Sequence, residues 1–158
     1  MRVLPNVPLV ESPRETVKHL IDVIKSEHAR AFIDLGCGTG KLVISVANRK
    51  VYGIGLEINE NLVMSAKNLS KSQNKFRYVD FIVADFYNLP FKSNINAVIY
   101  MYLYGSVICS LKSELLKCLG ENTTVLSLDF PVTFLNIKGV EFIMANGIPR
   151  LLFKYKGG

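Results

Sequence analysis

The chain has 158 residues, which is the size of one domain with a single hydrophobic core and leaves no room for a separate substrate domain. Hydrophobic residues make up 49% and charged residues 20%, a composition that excludes a disordered polar tail. The net charge of +6 predicts a surface that attracts anions, such as nucleic acid or an acidic protein face, although a lysine-rich surface without a partner has the same charge.

The cysteines and one uncharged segment bear on compartment and partners. Cys37, Cys109 and Cys118 show no paired or metal-ligand spacing, which predicts a reduced cytoplasmic protein without a metal site. Residues 93–111 carry no formal charge and approach the length of a membrane span. Their tyrosines alternate as in a β-strand, so we expect a strand that leads into a helix and no membrane partner. We also expect a monomer.

Helix and strand patterns alternate along the chain. The first helix is predicted to begin with Ser12 as its cap and Pro13 in its first turn, and a later helix begins after the cap Asn59. Further helices are predicted after the glycine cluster at residues 36–40 and over the leucines of residues 111–119. Five short apolar runs have the length and composition of buried strands. They lie at residues 31–35, 51–56, 77–83, 97–103 and 123–128.

The C-terminal residues predict a β-hairpin. Residues 140–144 and 151–155 flank the dipeptide Asn146-Gly147, which favours a tight turn. Strands that alternate with helices indicate a mostly parallel sheet covered on both faces. We therefore predict one α/β domain over residues 1–158, a doubly wound seven-stranded sheet that ends in an antiparallel hairpin.

A glycine-rich loop, DLGCGTG at residues 34–40, follows the first predicted strand. Glycines allow a ligand to approach the backbone closely, and the carboxyl ends of parallel strands form the ligand crevice of such folds. A dinucleotide fingerprint needs a third glycine where Lys41 stands, so the loop suits a ligand with an ammonium and a carboxylate instead of a pyrophosphate. The cofactor-binding residues predicted here are Asp34, Gly36, Cys37, Gly38 and Gly40.

Two further acids end the next two predicted strands. Glu57, followed by Ile58, could accept hydrogen bonds from both hydroxyls of a ribose. Asp85 is placed to accept a hydrogen bond from an adenine amino group, while Phe86 packs near the ring. Acids that close three successive strands next to a glycine loop favour a nucleoside ligand over three unrelated surface acids.

These residues resemble the class I, seven-β-strand methyltransferases that use S-adenosylmethionine (SAM). The likeness lies in the DLGCGTG loop, the acid of GLEIN and the ADF after the third strand. The segments LPNVPLVESPRETV, LKSELLKCL and LSLDF also resemble the small archaeal protein lysine methyltransferases, over nearly the whole chain. This resemblance implies that residues 1–14 lie over the cofactor and places Ser12 near it. The chain departs from the family pattern at Glu11, Thr39 and the pair Leu128-Asp129.

The resemblance implies methyl transfer to the ε-amino group of protein lysines. A lysine ammonium, with a pKa of about 10.4, must lose a proton before it attacks, and a partly apolar channel lowers that pKa. Tyr100, Tyr102 and Tyr104 would share one face of the fourth strand beside such a channel, and Asp129 ends the fifth strand. Among them we predict Tyr102 and Asp129 as catalytic and Tyr100 as a cofactor residue.

Two other functions fit the same core. In an RNA or small-molecule methyltransferase, the basic residues Lys67, Lys71, Lys75 and Arg77 could contact phosphates, although a solvated helix face is the commoner explanation. The third alternative is a SAM-binding partner protein without activity, and the intact acids argue against it. A Pro-Pro-aromatic turn is absent after the fourth predicted strand, which argues against methylation of adenine or glutamine.

Overall fold

The computed structural model describes residues 9–91 and 95–157. Its elements in chain order are α1 (Thr16–Ser26), β1 (Ala31–Leu35), α2 (Lys41–Val46), β2 (Tyr52–Glu57), α3 (Glu60–Ser72), β3 (Val79–Val83), β4 (Ala97–Met101), α4 (Gly105–Ser110), α5 (Lys112–Cys118), β5 (Thr123–Leu128), β6 (Ile137–Ala145) and β7 (Ile148–Lys156). The strands form one sheet in the order β3-β2-β1-β4-β5-β7-β6. The pairs among β1 to β5 are parallel and those of β7 are antiparallel, which confirms the predicted fold class.

Two apolar layers cover the two faces of the sheet. On one face, α1, α2 and α3 bury side chains such as Leu20, Ile44 and Ala66. On the other face, α4 and α5 bury side chains such as Ile108 and Leu115. Successive residues of a strand point to opposite faces. The central strands are therefore apolar throughout, as the short uninterrupted runs in the sequence predict.

The start of α3 agrees with the sequence, whereas the start of α1 does not. The Asn59 side chain accepts hydrogen bonds from the amides of Asn61 and Leu62, at 3.0 and 3.3 Å, and so caps α3 as predicted. Helix α1 begins only at Thr16, after a turn in which the Thr16 amide donates to the Pro13 carbonyl. The predicted cap on Ser12 is wrong because its hydroxyl is hydrogen-bonded to Tyr100 instead.

The region after β4 also differs in detail. The single helix predicted over residues 111–119 is two short helices, α4 and α5, that meet at Leu111. Strand β4 with α4 confirms the expected strand and helix within the described part of the uncharged stretch. Along residues 9–91 and 95–157, none of the helices has both the length and the apolar character that a membrane crossing requires.

The C-terminal hairpin is longer than predicted. Asn146 and Gly147 both take positive φ, 50° and 74°, which is the backbone of a tight two-residue turn that follows the twist of the strands. Leu152 of β7 lies opposite Leu128, the last residue of β5. Residues 148–151 therefore continue past the carboxyl end of β5 and pair with β6. The hairpin thus reaches beyond the sheet edge that carries the glycine loop.

Candidate functional site

The glycine loop joins β1 to α2 at the carboxyl edge of the sheet. Gly36, Gly38 and Gly40 all adopt positive φ, between 55° and 83°. The amides of Gly36 and Cys37 donate to the carbonyl of Leu56, at 2.8 and 3.0 Å, and tie the loop to β2. The loop is therefore fixed by backbone hydrogen bonds to its neighbouring strand.

A cavity of about 370 Å³ lies against this loop. Its walls are the loop itself, the start of α2, Tyr102 beyond β4, and residues 9–14. Leu9 closes over the loop so tightly that a Cβ atom on Gly38 would lie 2.7 Å from the Leu9 side chain. The segment before α1 thus covers one side of the cavity. Its predicted extent begins at residue 1, and residues 1–8 lie outside the described part of the chain.

Asp34 supplies a buried carboxyl group to the cavity wall. It is 5% exposed, and among residues 9–91 and 95–157 no side-chain hydrogen bond reaches it. Burial, and then the negative charge of Glu57, raise the pKa of Asp34 from an ordinary 3.8 to about 8. A cationic group placed in the cavity would relieve both effects.

Glu57 is held at the end of β2 beside the loop. One carboxylate oxygen accepts from the Gly38 amide at 3.0 Å and the other from the Asn59 amide at 3.1 Å. Each oxygen keeps one acceptor position free, because a carboxylate offers about four. Ile58 follows as an exposed residue in a bend. The Cys37 thiol is buried, and burial together with Asp34 and Glu57 raises its pKa, so this cysteine is not a nucleophile.

Asp85 and Phe86 follow β3 on the same edge. Asp85 is exposed, and its side chain accepts a hydrogen bond from the Tyr87 amide at 3.0 Å. Phe86 is buried in the second apolar layer, with its ring close to Gly36. The structure therefore brings Phe86 against the glycine loop and leaves the carboxylate of Asp85 accessible.

The three tyrosines after Ile99 do not share one strand face. Tyr100 is fully buried, its hydroxyl lies 2.7 Å from the Ser12 hydroxyl, and burial raises its pKa. Tyr102 lies beyond the end of β4, packs against the same apolar layer and lines the cavity. Tyr104 precedes α4, and its ring contacts Phe130 at a centroid distance of 5.6 Å. The expectation for Tyr104 is wrong because β4 ends at Met101 and the chain turns there.

Asp129 does not face water as a free acid. Its backbone takes a positive φ of 62°, and its carboxylate accepts hydrogen bonds from Arg150 Nε at 2.7 Å, from Arg150 Nη2 and from the Leu151 amide at 3.2 Å. Arg150 Nη2 also donates to the Tyr102 hydroxyl. Sequence reasoning missed Arg150. The only signal was its position beside a predicted hairpin strand, and its approach to Asp129 depends on antiparallel pairing.

The conformation of Gly40 yields a stability prediction. Gly40 has a φ of 78°, and a Cβ there would lie 2.6 Å from Phe81 and 2.8 Å from Ala66. We expect Gly40→Ala to lower the free energy of unfolding by about 2–4 kcal/mol, because backbone strain adds to overpacking. Urea denaturation would measure the change. Gly147→Ala is the control, since its φ is 74° with no atom within 4 Å, and should cost only about 1 kcal/mol. Equal losses would show that crowding at Gly40 is unimportant.

Comparison with known proteins identifies the family. A family model described as the ANTKMT methyltransferase domain matches residues 34–138, about two thirds of the chain, including the glycine loop and Glu57. The chain belongs to this family. It is therefore a methyltransferase, and the cofactor of this seven-strand class is SAM.

Individual relatives support the same assignment. A protein-lysine N-methyltransferase of Saccharolobus islandicus is 29% identical over 98% of this chain and 96% of its own length. A human lysine N-methyltransferase that is named for a component of ATP synthase is 25% identical over 81% of this chain and 52% of its own length. Among solved structures, an RNA methyltransferase from Salinibacter ruber in complex with S-adenosylhomocysteine superposes with a TM-score of 0.77, at 25% identity and 92% coverage of both chains.

The residues around the cavity of this methyltransferase fit SAM. Asp34 is a buried carboxyl group that needs a positive partner, and SAM carries an ammonium and a sulfonium. At Gly38 the covering segment leaves no room for a side chain. Across the described ranges, no group of three histidine, cysteine, aspartate or glutamate side chains is arranged to hold a metal ion.

Proposed function

We propose that this methyltransferase transfers a methyl group from SAM to the ε-amino group of lysines in protein substrates. The observation that carries the proposal is the joining of Tyr102 and Asp129 at the cavity, where they present acceptor oxygens to an incoming amine. The likeness to a protein-lysine N-methyltransferase over 98% of the chain supports the choice of lysine.

In this proposal the predicted cofactor residues divide by ligand part. Asp34 faces the ammonium end, with the backbone of Gly36, Cys37, Gly38 and Gly40 beside it. Glu57 accepts from the ribose hydroxyls, flanked by Ile58, and Asp85 and Phe86 receive the adenine. Ser12 and Tyr100 act together, since their hydrogen bond ties the covering segment 9–14 to β4. The proposal includes a single domain over residues 1–158 with residues 1–14 over the cofactor.

The residues of the chain have a limited task in the transfer. When bound, SAM supplies a methyl group on a sulfonium, whose carbon–sulfur bond breaks with its electrons on sulfur as the lysine nitrogen forms the new bond. Tyr102 and Asp129 accept hydrogen bonds from the amine and so aim its lone pair into the cavity. Asp34 balances the charge of the cofactor, and the segment 9–14 excludes water from the cavity.

RNA is the second candidate acceptor, because the Salinibacter ruber structure is named as an RNA methyltransferase. The basic residues at the end of α3 support it weakly. Lys75 Nζ donates to the carbonyl of Ala47 at 2.9 Å, and the Arg77 guanidinium lies 5.7 Å from the ring centre of Phe76. Both groups are engaged within the protein, so we favour the lysine acceptor. We further propose a cytoplasmic monomer, as the cysteine pattern predicts.

Isotope labelling tests the proposed substrate. We expect the purified protein, incubated with a cell extract and SAM labelled in its methyl group, to place label in protein as methyllysine after acid hydrolysis. Glu57→Ala should label little, which ties the signal to this cavity. Label that disappears on nuclease treatment, or that stays in small molecules, would contradict the lysine proposal and leave the family assignment intact.

A further inference from the structure

The guanidinium of Arg150 joins two elements of the transfer site. Arg150 lies in β7 opposite Ile143, in the part of the hairpin that extends past β5. Its Nε donates to Asp129 Oδ2 at 2.7 Å, and its Nη2 donates both to that oxygen and to the Tyr102 hydroxyl. Its central carbon lies 5.3 Å from the centre of the Tyr102 ring. One cation therefore contacts a carboxylate, a phenol oxygen and an aromatic face.

This cluster borders the cavity and remains open to a substrate. Tyr102 forms part of the cavity wall. The side chains of Arg150 and Asp129 are 22% and 25% exposed, so a lysine side chain and solvent can reach both. The hydrogen bond to Asp129 also raises the pKa of Arg150, so the guanidinium stays charged throughout.

Counting hydrogen bonds shows what the cluster can still offer. Asp129 Oδ2 accepts twice from Arg150, and Oδ1 accepts once, from the Leu151 amide. One acceptor position remains on Oδ1, and one remains on the Tyr102 oxygen. The cluster can thus accept from the N–H groups of an amine, while its carboxylate charge is already balanced.

We propose that Arg150 is a positioning residue that neutralises Asp129, so that the acceptor lysine is held as a free amine and not as an ammonium ion. The inference rests on the proposed function. A carboxylate without a partner would stabilise the ammonium form and raise the pKa of the lysine, which delays attack. A carboxylate paired with guanidinium orients the amine without that effect, and the proton lost by the ammonium passes to solvent.

Other titratable groups around the cluster belong to several elements. From β4 and β1, Tyr100 and Asp34 lie close enough to influence one another electrostatically, and Tyr100 also feels Asp129. From the α1 side, Ser12 bonds to Tyr100, and His19 is taken up by Glu141 of β6. The remaining charged groups of the cavity wall are Glu11, Arg14 and Lys41, of which Glu11 and Lys41 pair at 3.1 Å. Arg150 is therefore the cation in direct contact with Asp129.

The pH dependence of methyl transfer tests this role. With a lysine-containing protein acceptor, we expect Arg150→Met to move the midpoint of the rising alkaline limb of kcat up by about one pH unit. The KM for the acceptor should fall, because Asp129 now binds the ammonium, and kcat at pH 7.5 should fall about tenfold. The affinity for S-adenosylhomocysteine, measured by calorimetry, should stay unchanged. Arg150→Lys, which keeps the charge, should keep the wild-type midpoint.

Two further variants make the test specific. Adding Asp129→Asn to Arg150→Met should return the midpoint to the wild-type value, since the uncompensated charge is gone. Lys154→Met is the matched control, because it removes a cation of the same strand that pairs with Glu27 at 2.5 Å, and the midpoint should not move. A loss of kcat in Arg150→Met without a shift of midpoint or KM would overturn the inference. Label found outside lysine would instead overturn the proposed function, so the two failures are distinguishable.

Discussion

Replacing Glu57 with alanine is expected to weaken binding of S-adenosylhomocysteine about 100-fold. The carboxylate is fixed by the amides of Gly38 and Asn59 and keeps two acceptor positions for ribose hydroxyls. Hydrogen bonds to a charged group contribute about 1.5–3 kcal/mol each, and about 1.4 kcal/mol corresponds to tenfold in affinity. Isothermal titration calorimetry measures the dissociation constant directly.

A neighbouring acid serves as the control for this change. Glu60, the first residue of α3, is exposed and lies in the first turn of that helix. Glu60→Ala should leave the dissociation constant unchanged, and thermal melts of both variants would show whether the glycine loop is intact. If Glu57→Ala bound the ligand as tightly as the wild type, Glu57 would not be the ribose acceptor.

Asp34→Asn is expected to stabilise the protein without ligand and to weaken its binding of SAM. Asp34 has a folded-state pKa of about 8, above its ordinary 3.8, so the fold favours the neutral acid. That contribution is complete below about pH 4, declines as pH rises, and is lost above about pH 8. Asparagine stays neutral at every pH. The melting temperature of the variant should therefore match the wild type near pH 4 and exceed it by roughly 5 °C or more at pH 9.

The ligand should reverse this order. SAM brings positive charge to Asp34 and favours its ionised form, so saturating SAM should raise the melting temperature of the wild type more than that of Asp34→Asn. Binding to the wild type at pH 6.5 should also release protons from Asp34, which calorimetry in two buffers of different ionisation enthalpy detects. Equal melting curves at pH 9, or equal proton release by both proteins, would contradict a buried neutral Asp34.

Local patterns predicted the parts of the molecule that local forces control. The strands β1 and β5 have the predicted bounds, because short apolar runs between glycine and polar residues can satisfy their backbone only inside a sheet. Asn59 caps α3 because its side chain reaches amides two and three residues away. The turn at Asn146-Gly147 follows from the ease with which both residues adopt positive φ.

Contacts between distant segments overrode local preference elsewhere. Ser12 has the composition of a helix cap, but its hydroxyl is bonded to Tyr100, 88 positions away, and α1 starts later. Tyr104 continues an alternating pattern, but the strand ends first because the chain turns into α4. In both cases tertiary packing outweighed a preference worth about 1 kcal/mol.

By itself the sequence determined that this chain is an α/β methyltransferase with an acid-flanked glycine loop, because strand periodicity, glycine spacing and strand-end acids are encoded locally. Only the tertiary structure decided that Asp34 is buried without a hydrogen-bond partner among the described residues. It also decided that Asp129 is paired with Arg150, 21 positions away. Desolvation and ion pairing depend on which segments pack together, and antiparallel pairing of β7 with β5, which no local pattern specifies, brings Arg150 to Asp129.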